Sequence, residues 1–104
     1  MASRLDFHKV LVTALGSNNV YFQPPETIKM SYPCIVYDLD NKVYTYADGL
    51  KYNRKDLYSV MIITQSYSDS VSISDKLLNE LEYSSFDRNY TSDNLYHVVL
   101  SIYF

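Results

Sequence analysis

The chain has 104 residues, 47% of them hydrophobic, and a formal net charge of -3. That length suits one compact domain with a single core, and the apolar content excludes a disordered chain. The acidic balance excludes a general electrostatic hold on nucleic acid, so any DNA contact would need a local basic patch.

The N-terminal stretch, residues 3–15, has the spacing of a helix. Phe7, Val10, Leu11, Ala14 and Leu15 make one apolar stripe. Ser3 and Asp6 match a capping box, and Gly16 is placed to stop the helix at C′. His8 falls off the stripe and reads as solvated. Val20, Tyr21 and Phe22 form a short apolar run, expected as an edge strand. Pro24 and Pro25 then remove two backbone donors, and Pro24 keeps Gln23 out of helical angles. Residues 23–31 are therefore expected as an extended surface loop.

Pro33 is expected to open a strand over residues 34–40. Ile35, Tyr37 and Leu39 would lie on one side, with Val36 and Asp38 on the other. Residues 41–54 are polar, rich in tyrosine and carry Gly49, and they read as a long hairpin connection. Residues 56–66, DLYSVMIITQS, are the clearest strand. Its VMII centre is apolar on both faces, so a helix should cover one face and something else the other.

Residues 72–82 return to helical spacing, with Ile73, Leu77, Leu78 and Leu81 as the stripe and Ser72 with Asp75 as a capping box. SSFDRNY and LYHVVLSIYF, with turn chemistry at Asp93-Asn94, read as an antiparallel hairpin. In the second run Tyr96, Val98, Leu100, Ile102 and Phe104 share a face, so the segment up to residue 104 should be paired into the sheet. The expected order is α-β-β-β-α-β-β. It describes a single α+β domain, residues 1–104, with a mainly antiparallel sheet of four to five strands and two helices on one face.

Composition adds two expectations. Cys34 is the only cysteine, which allows no internal disulfide and no zinc spacing, so the chain reads as folding in a reducing compartment. No apolar run approaches the roughly 18 residues of a membrane span, and MASRLDFHKV lacks a signal-peptide core. Tyrosine is unusually common, at 12 residues with no tryptophan. It suits strand margins and protein contact surfaces.

Residues that carry chemistry are sparse. Cys34, inside YPCIV, reads as a small buried residue. His8 and His97 lack metal-ligand spacing. Asp38 and Asp40 would share a strand face, where a solvated strand end explains them more simply than a divalent ion. No phosphate-binding glycine loop is present. KYNRK, residues 51–55, is the one basic cluster and reads as a solvated segment that discourages edge pairing. Arg88, in FDRNY, is a residue type favoured at interface hot spots. With no nucleophile, base and orienting group together, the expectation is a structural or interaction protein rather than an enzyme, with no cofactor and no metal.

The string VYFQPPETIKMSYPCIVYD after a short helix, followed by the tyrosine-rich segment, the central strand, DKLLNEL and SSFDRNYTSDNLYHVVLSIYF, resembles the small tail terminators of long-tailed bacteriophages and prophages. These are also called tail-completion or head-tail joining proteins. The resemblance covers nearly the whole chain, and its most specific parts are VYFQPP with YPCIVY and FDRNY with DNLYH. None of these is a catalytic signature. It implies an α+β fold with helices packed on a sheet. It also implies a homo-hexameric ring that caps the head-proximal end of the tail tube, stops tube polymerisation and gives the head connector or stopper a surface to dock on. Genomic DNA would pass through the lumen without sequence-specific binding. The place implied is the tail-neck region of the virion, after synthesis in the bacterial cytoplasm, with no membrane involved.

A ring needs one face of a subunit to meet a different face of the next, and a stiff loop loses little entropy on docking. Composition therefore makes residues 23–33 and 41–54 the candidate contacts to neighbouring subunits and tube, with Gln23, Pro24, Pro25, Tyr44, Tyr46, Tyr52 and Arg88 as candidate interface residues. The alternatives are another neck protein, stopper or adaptor, or a stand-alone peptide- or RNA-binding module.

Overall fold

The computed structural model describes residues 4–24, 29–47 and 50–104, and the side chains of these except at 41–47 and 50–55. The elements run α1 (Arg4–Leu15), β1 (Val20–Phe22), β2 (Cys34–Ala47), β3 (Leu50–Thr64), α2 (Tyr67–Glu80), β4 (Ser84–Ser92) and β5 (Leu95–Tyr103). The strands form one sheet in the order β1-β2-β3-β5-β4. β1 pairs with β2 in parallel, and the other three pairings are antiparallel. This is the expected α+β fold in the expected element order.

Register explains which residues meet the helices. Tyr37, Val60 and Leu100 lie in one row across the sheet, and Ile35, Ile62 and Val98 in the next. These side chains are buried with Phe7, Leu11 and Ala14 of α1 and with Ile73 and Leu77 of α2. Both helices therefore cover the same face. Each such apolar side chain contributes about 1.5–3 kcal/mol when fully buried.

The centre of this core is aromatic. Phe7 stacks on Tyr58 with centroids 4.5 Å apart and meets Tyr37 edge-on at 5.5 Å and Phe104 at 5.0 Å. Tyr37 is fully buried as a residue, yet its hydroxyl reaches the margin of the core and is satisfied there. Arg4 Nη1 donates to it over 3.3 Å, and it lies 2.7 Å from His8 Nδ1. Burial, and then the nearby Arg4 charge, hold His8 below its ordinary pKa of 6.5. The neutral ring can then accept the Tyr37 hydroxyl proton, which leaves the Tyr37 oxygen free to accept from Arg4. The Arg4 guanidinium also lies 4.5 Å over the Phe22 ring. His8 is thus not simply solvated, as its place off the stripe suggested. It is half-buried and tied to the sheet.

Local signals at α1 hold where they can be read. Gly16 has φ +81° and donates its N–H to Val12 at 2.9 Å, as a C′ glycine should. Ser3, the proposed cap, lies outside the described residues.

The second helix starts earlier than the spacing predicts, at Tyr67 instead of residue 72. Its N-cap is Ser66, so Ser72 and Asp75 lie within the helix and are exposed rather than capping it. The physical reason is a pair of serines on the buried side. Ser70 and Ser74 are buried, and their hydroxyls donate to the carbonyls of Tyr67 at 2.6 Å and Val71 at 3.0 Å. Satisfied in this way, they pack where an apolar residue would be expected.

The other face of the sheet carries Val36, Met61 and Val99 in one row, with Ile63 and His97 paired in the next. Among the described residues, no helix or strand packs over this face.

Candidate functional site

The hairpin expected as a connection is instead a pair of strands. β2 and β3 stay in register from Asn41↔Leu57 out to Ala47↔Leu50. β1 ends opposite Tyr37. β5 pairs with β3 from Leu57 onward, and Asp56 exchanges backbone hydrogen bonds with Phe104 at 3.1 and 2.9 Å. Residues 41–47 and 50–55 therefore continue as a two-stranded ribbon with no third strand from this chain on either edge among the described residues. Tyrosine and threonine favour strands, and where no core lies beneath, polar residues can occupy both faces. That is why the segment looked like a loop.

The structure places Tyr44 opposite Arg54 and Tyr46 opposite Lys51, with Tyr52 at a shift in register between them. A second shift falls at Asp40, where the ribbon leaves the sheet. Bulges of this kind bend a strand and sharpen its twist. The shift also breaks the alternation that would have set Asp40 beside Asp38. An isolated two-stranded ribbon is at best marginally stable in water, and this one is anchored only where it leaves the sheet.

The proline loop begins under constraint. Gln23 sits at φ +43°, a costly angle for a side chain other than glycine. Its N–H donates to Tyr37 at 3.0 Å, and its Oε1 accepts from the Leu39 N–H at 3.3 Å. The Gln23 side chain is thus spent on the outer edge of β2, where it replaces the next residue of β1. Pro24 is half-buried beside it. Pro25 lies outside the described residues. At the far end of the loop, the Ser31 N–H donates to the Tyr21 hydroxyl at 3.4 Å.

The opposite side of the molecule holds a surface that the sequence did not reveal. α2 stops short of covering β4, and the step between them exposes large apolar side chains. Tyr67 and Phe86 are each 52% exposed, and Val71 and Tyr96 are also open to solvent. At one end of the step lies a pocket of about 290 Å³, lined by Tyr67, Ser70, Asn89, Thr91 and Tyr96 among others. Tyr67 and Tyr96 face each other there with centroids 5.9 Å apart. Tyr67 and Ser70 come from α2, and Asn89, Thr91 and Tyr96 come from β4 and β5 at least 19 positions further along, so only the fold brings them together.

Arg88 is exposed on β4, next to the register shift that skips Asp87. Its guanidinium lies 5.9 Å from the Tyr90 ring, which in turn stacks on His97 at 4.7 Å and 6°. Asp87 accepts from the Ser101 hydroxyl at 2.6 Å. β4 is the last strand of the sheet, and its outer edge has no neighbour among the described residues. Arg88 on β4 and the ribbon tyrosines on β2 and β3 are therefore separated by β5.

The remaining polar candidates are used structurally. Burial pushes the Cys34 thiol up to about 11, so it carries almost no thiolate at neutral pH. The His97 ring donates its Nδ1 hydrogen to the Leu95 carbonyl at 3.1 Å. Among the described residues, no group of three or more His, Cys, Asp or Glu side chains converges on a metal-sized site. No protein-family model matches the chain, and no curated protein matches it at a significant level.

Proposed function

We propose that this chain is the ring subunit of a phage tail neck, of the tail-terminator kind. Copies assemble head to tail, as a hexamer, on the head-proximal end of the tail tube. The ring ends tube growth and offers its other face to the head connector. The observation that supports this best is the two-stranded ribbon at residues 41–47 and 50–55, with no third strand beside it among the described residues. Such an element is suited to being completed by another molecule, and it carries Tyr44, Tyr46 and Tyr52 from the original candidates. The net charge of -3 also fits a lumen that DNA crosses without being held.

Mass by light scattering at high concentration, alone and with purified tail-tube protein, tests the reading. A six-fold species in either condition is the expected result. A monomer indifferent to the tube would sink the proposal and bring forward a stand-alone binding module. Tyr44→Ser with Tyr46→Ser should weaken assembly and leave the circular-dichroism spectrum folded, and loss of that spectrum would remove the ribbon from the candidate contacts.

A further inference from the structure

A head-to-tail ring needs two different surfaces that fit each other. We propose, resting on the ring reading, that the ribbon of one copy seats against the α2–β4 side of the next copy.

Charge is the first argument. The ribbon strands, residues 41–47 and 50–55, carry Lys42, Lys51, Arg54 and Lys55 and no carboxylate. Asp48, between them, lies outside the described residues. Over residues 67–92 the balance reverses, with Asp69, Asp75, Glu80, Glu82 and Asp87 against Lys76 and Arg88. All five of these carboxylate residues are exposed. A basic arm and an acidic side on one chain attract between copies, and they steer encounter toward that pairing. Like charges oppose the two other pairings, ribbon to ribbon and acidic side to acidic side.

Backbone and apolar surface supply the second argument. Among the described residues, β4 has no strand on its outer edge over Ser84–Ser92. Among the described residues, β2 has no strand on its outer edge beyond Leu39, whose N–H bonds to Gln23. Joining the two edges would make one sheet continuous across the subunit boundary, which is the mode of strand addition. The exposed Tyr67, Val71 and Phe86 beside β4 then gain cover that their own chain does not give them. The ribbon gains the third strand that its stability calls for.

The test is a charge swap. One variant carries Lys51→Glu, Arg54→Glu and Lys55→Glu. The other carries Asp75→Lys, Glu80→Lys and Glu82→Lys. Each alone should stay monomeric at about ten times the wild-type assembly concentration. Mixed one to one, they should recover the assembled mass, because each reversed ribbon then meets a reversed side. Strict alternation of this kind closes only in an even-numbered ring, which a hexamer satisfies. Recovery in the mixture also shows that both variants are folded. If either variant assembles alone as readily as the wild type, or if the mixture stays monomeric, this pairing is wrong and the ring reading stands. If the wild type is monomeric with and without tube protein, the ring reading falls and takes this pairing with it.

Discussion

Tyrosine is used in two different ways in this molecule. Under the helices, Tyr37 and Tyr58 are all but inaccessible, packed around Phe7, with the Tyr37 hydroxyl held between Arg4 and His8. On the α2–β4 side, Tyr67 and Tyr96 face each other and stay partly open to solvent. The same residue type thus closes one surface and leaves another open. The first group is satisfied within the chain, so its worth should be read in folding stability. The second gains little from its own chain, so its worth should be read in association.

Substitutions can break this comparison, beginning with the core. Phe7→Ala should cost about 3–5 kcal/mol, the range for removing a buried aromatic ring, measured as the shift in a urea unfolding midpoint. A loss below about 1 kcal/mol would mean that the aromatic cluster does not hold α1 to the sheet. Gly16→Ala should cost about 1–2 kcal/mol. Beyond Gly16 and its two chain neighbours, no atom of the described residues lies within 4 Å of the added methyl, so the penalty comes from φ +81°. Tyr37→Phe keeps the ring and removes only the hydroxyl, and should cost about 0.5–1.5 kcal/mol.

The His8 contact gives a pH signature. Its folded pKa is depressed, so the unfolded chain binds the proton more readily. The contribution is complete above the unfolded value of 6.5 and is lost as pH falls through the folded pKa. Unfolding midpoints should therefore fall between pH 7.5 and pH 5.5 in the wild type, and fall less in His8→Gln. Equal slopes in the two proteins would show that the ring is not coupled to folding. The smallest effect on stability belongs to the open surface. Phe86→Ala should change unfolding by less than about 0.5 kcal/mol, yet raise the concentration needed for assembly. A large loss of stability there would move Phe86 into the first group of aromatics.

The sequence revealed the elements whose partner is the common core. α1 and β5 were legible because the apolar residues that meet the core keep a strict period. The start of α2 was not, because Ser70 and Ser74 look polar until their hydroxyls are seen bonded to the preceding turn. The ribbon was mistaken for a loop for a related reason. A strand with no core beneath it has no alternation to reveal it, and register alone identifies Tyr44 and Tyr46 as strand residues. Gln23 looked like an outward-facing loop residue, and only a contact 16 positions away shows it holding Leu39. The α2–β4 step was invisible because it is a mismatch in size between two layers, and no single segment encodes that.

The contact between Phe7 and Phe104 has a consequence for synthesis. β5 lies inside the sheet between β3 and β4, so the sheet stays split until residues 95–103 have left the ribosome. Until then Phe7 can meet Tyr37 and Tyr58 but not Phe104, so the layer that buries it is incomplete. Long-range closure of this kind is slow and leaves nascent chains open to aggregation. Ribosome-bound chains stalled so that only residues 1–94 have emerged should be cut rapidly by protease, and chains with residue 104 well clear of the tunnel should resist. Early resistance would mean that α1 finds its place on β2 and β3 alone.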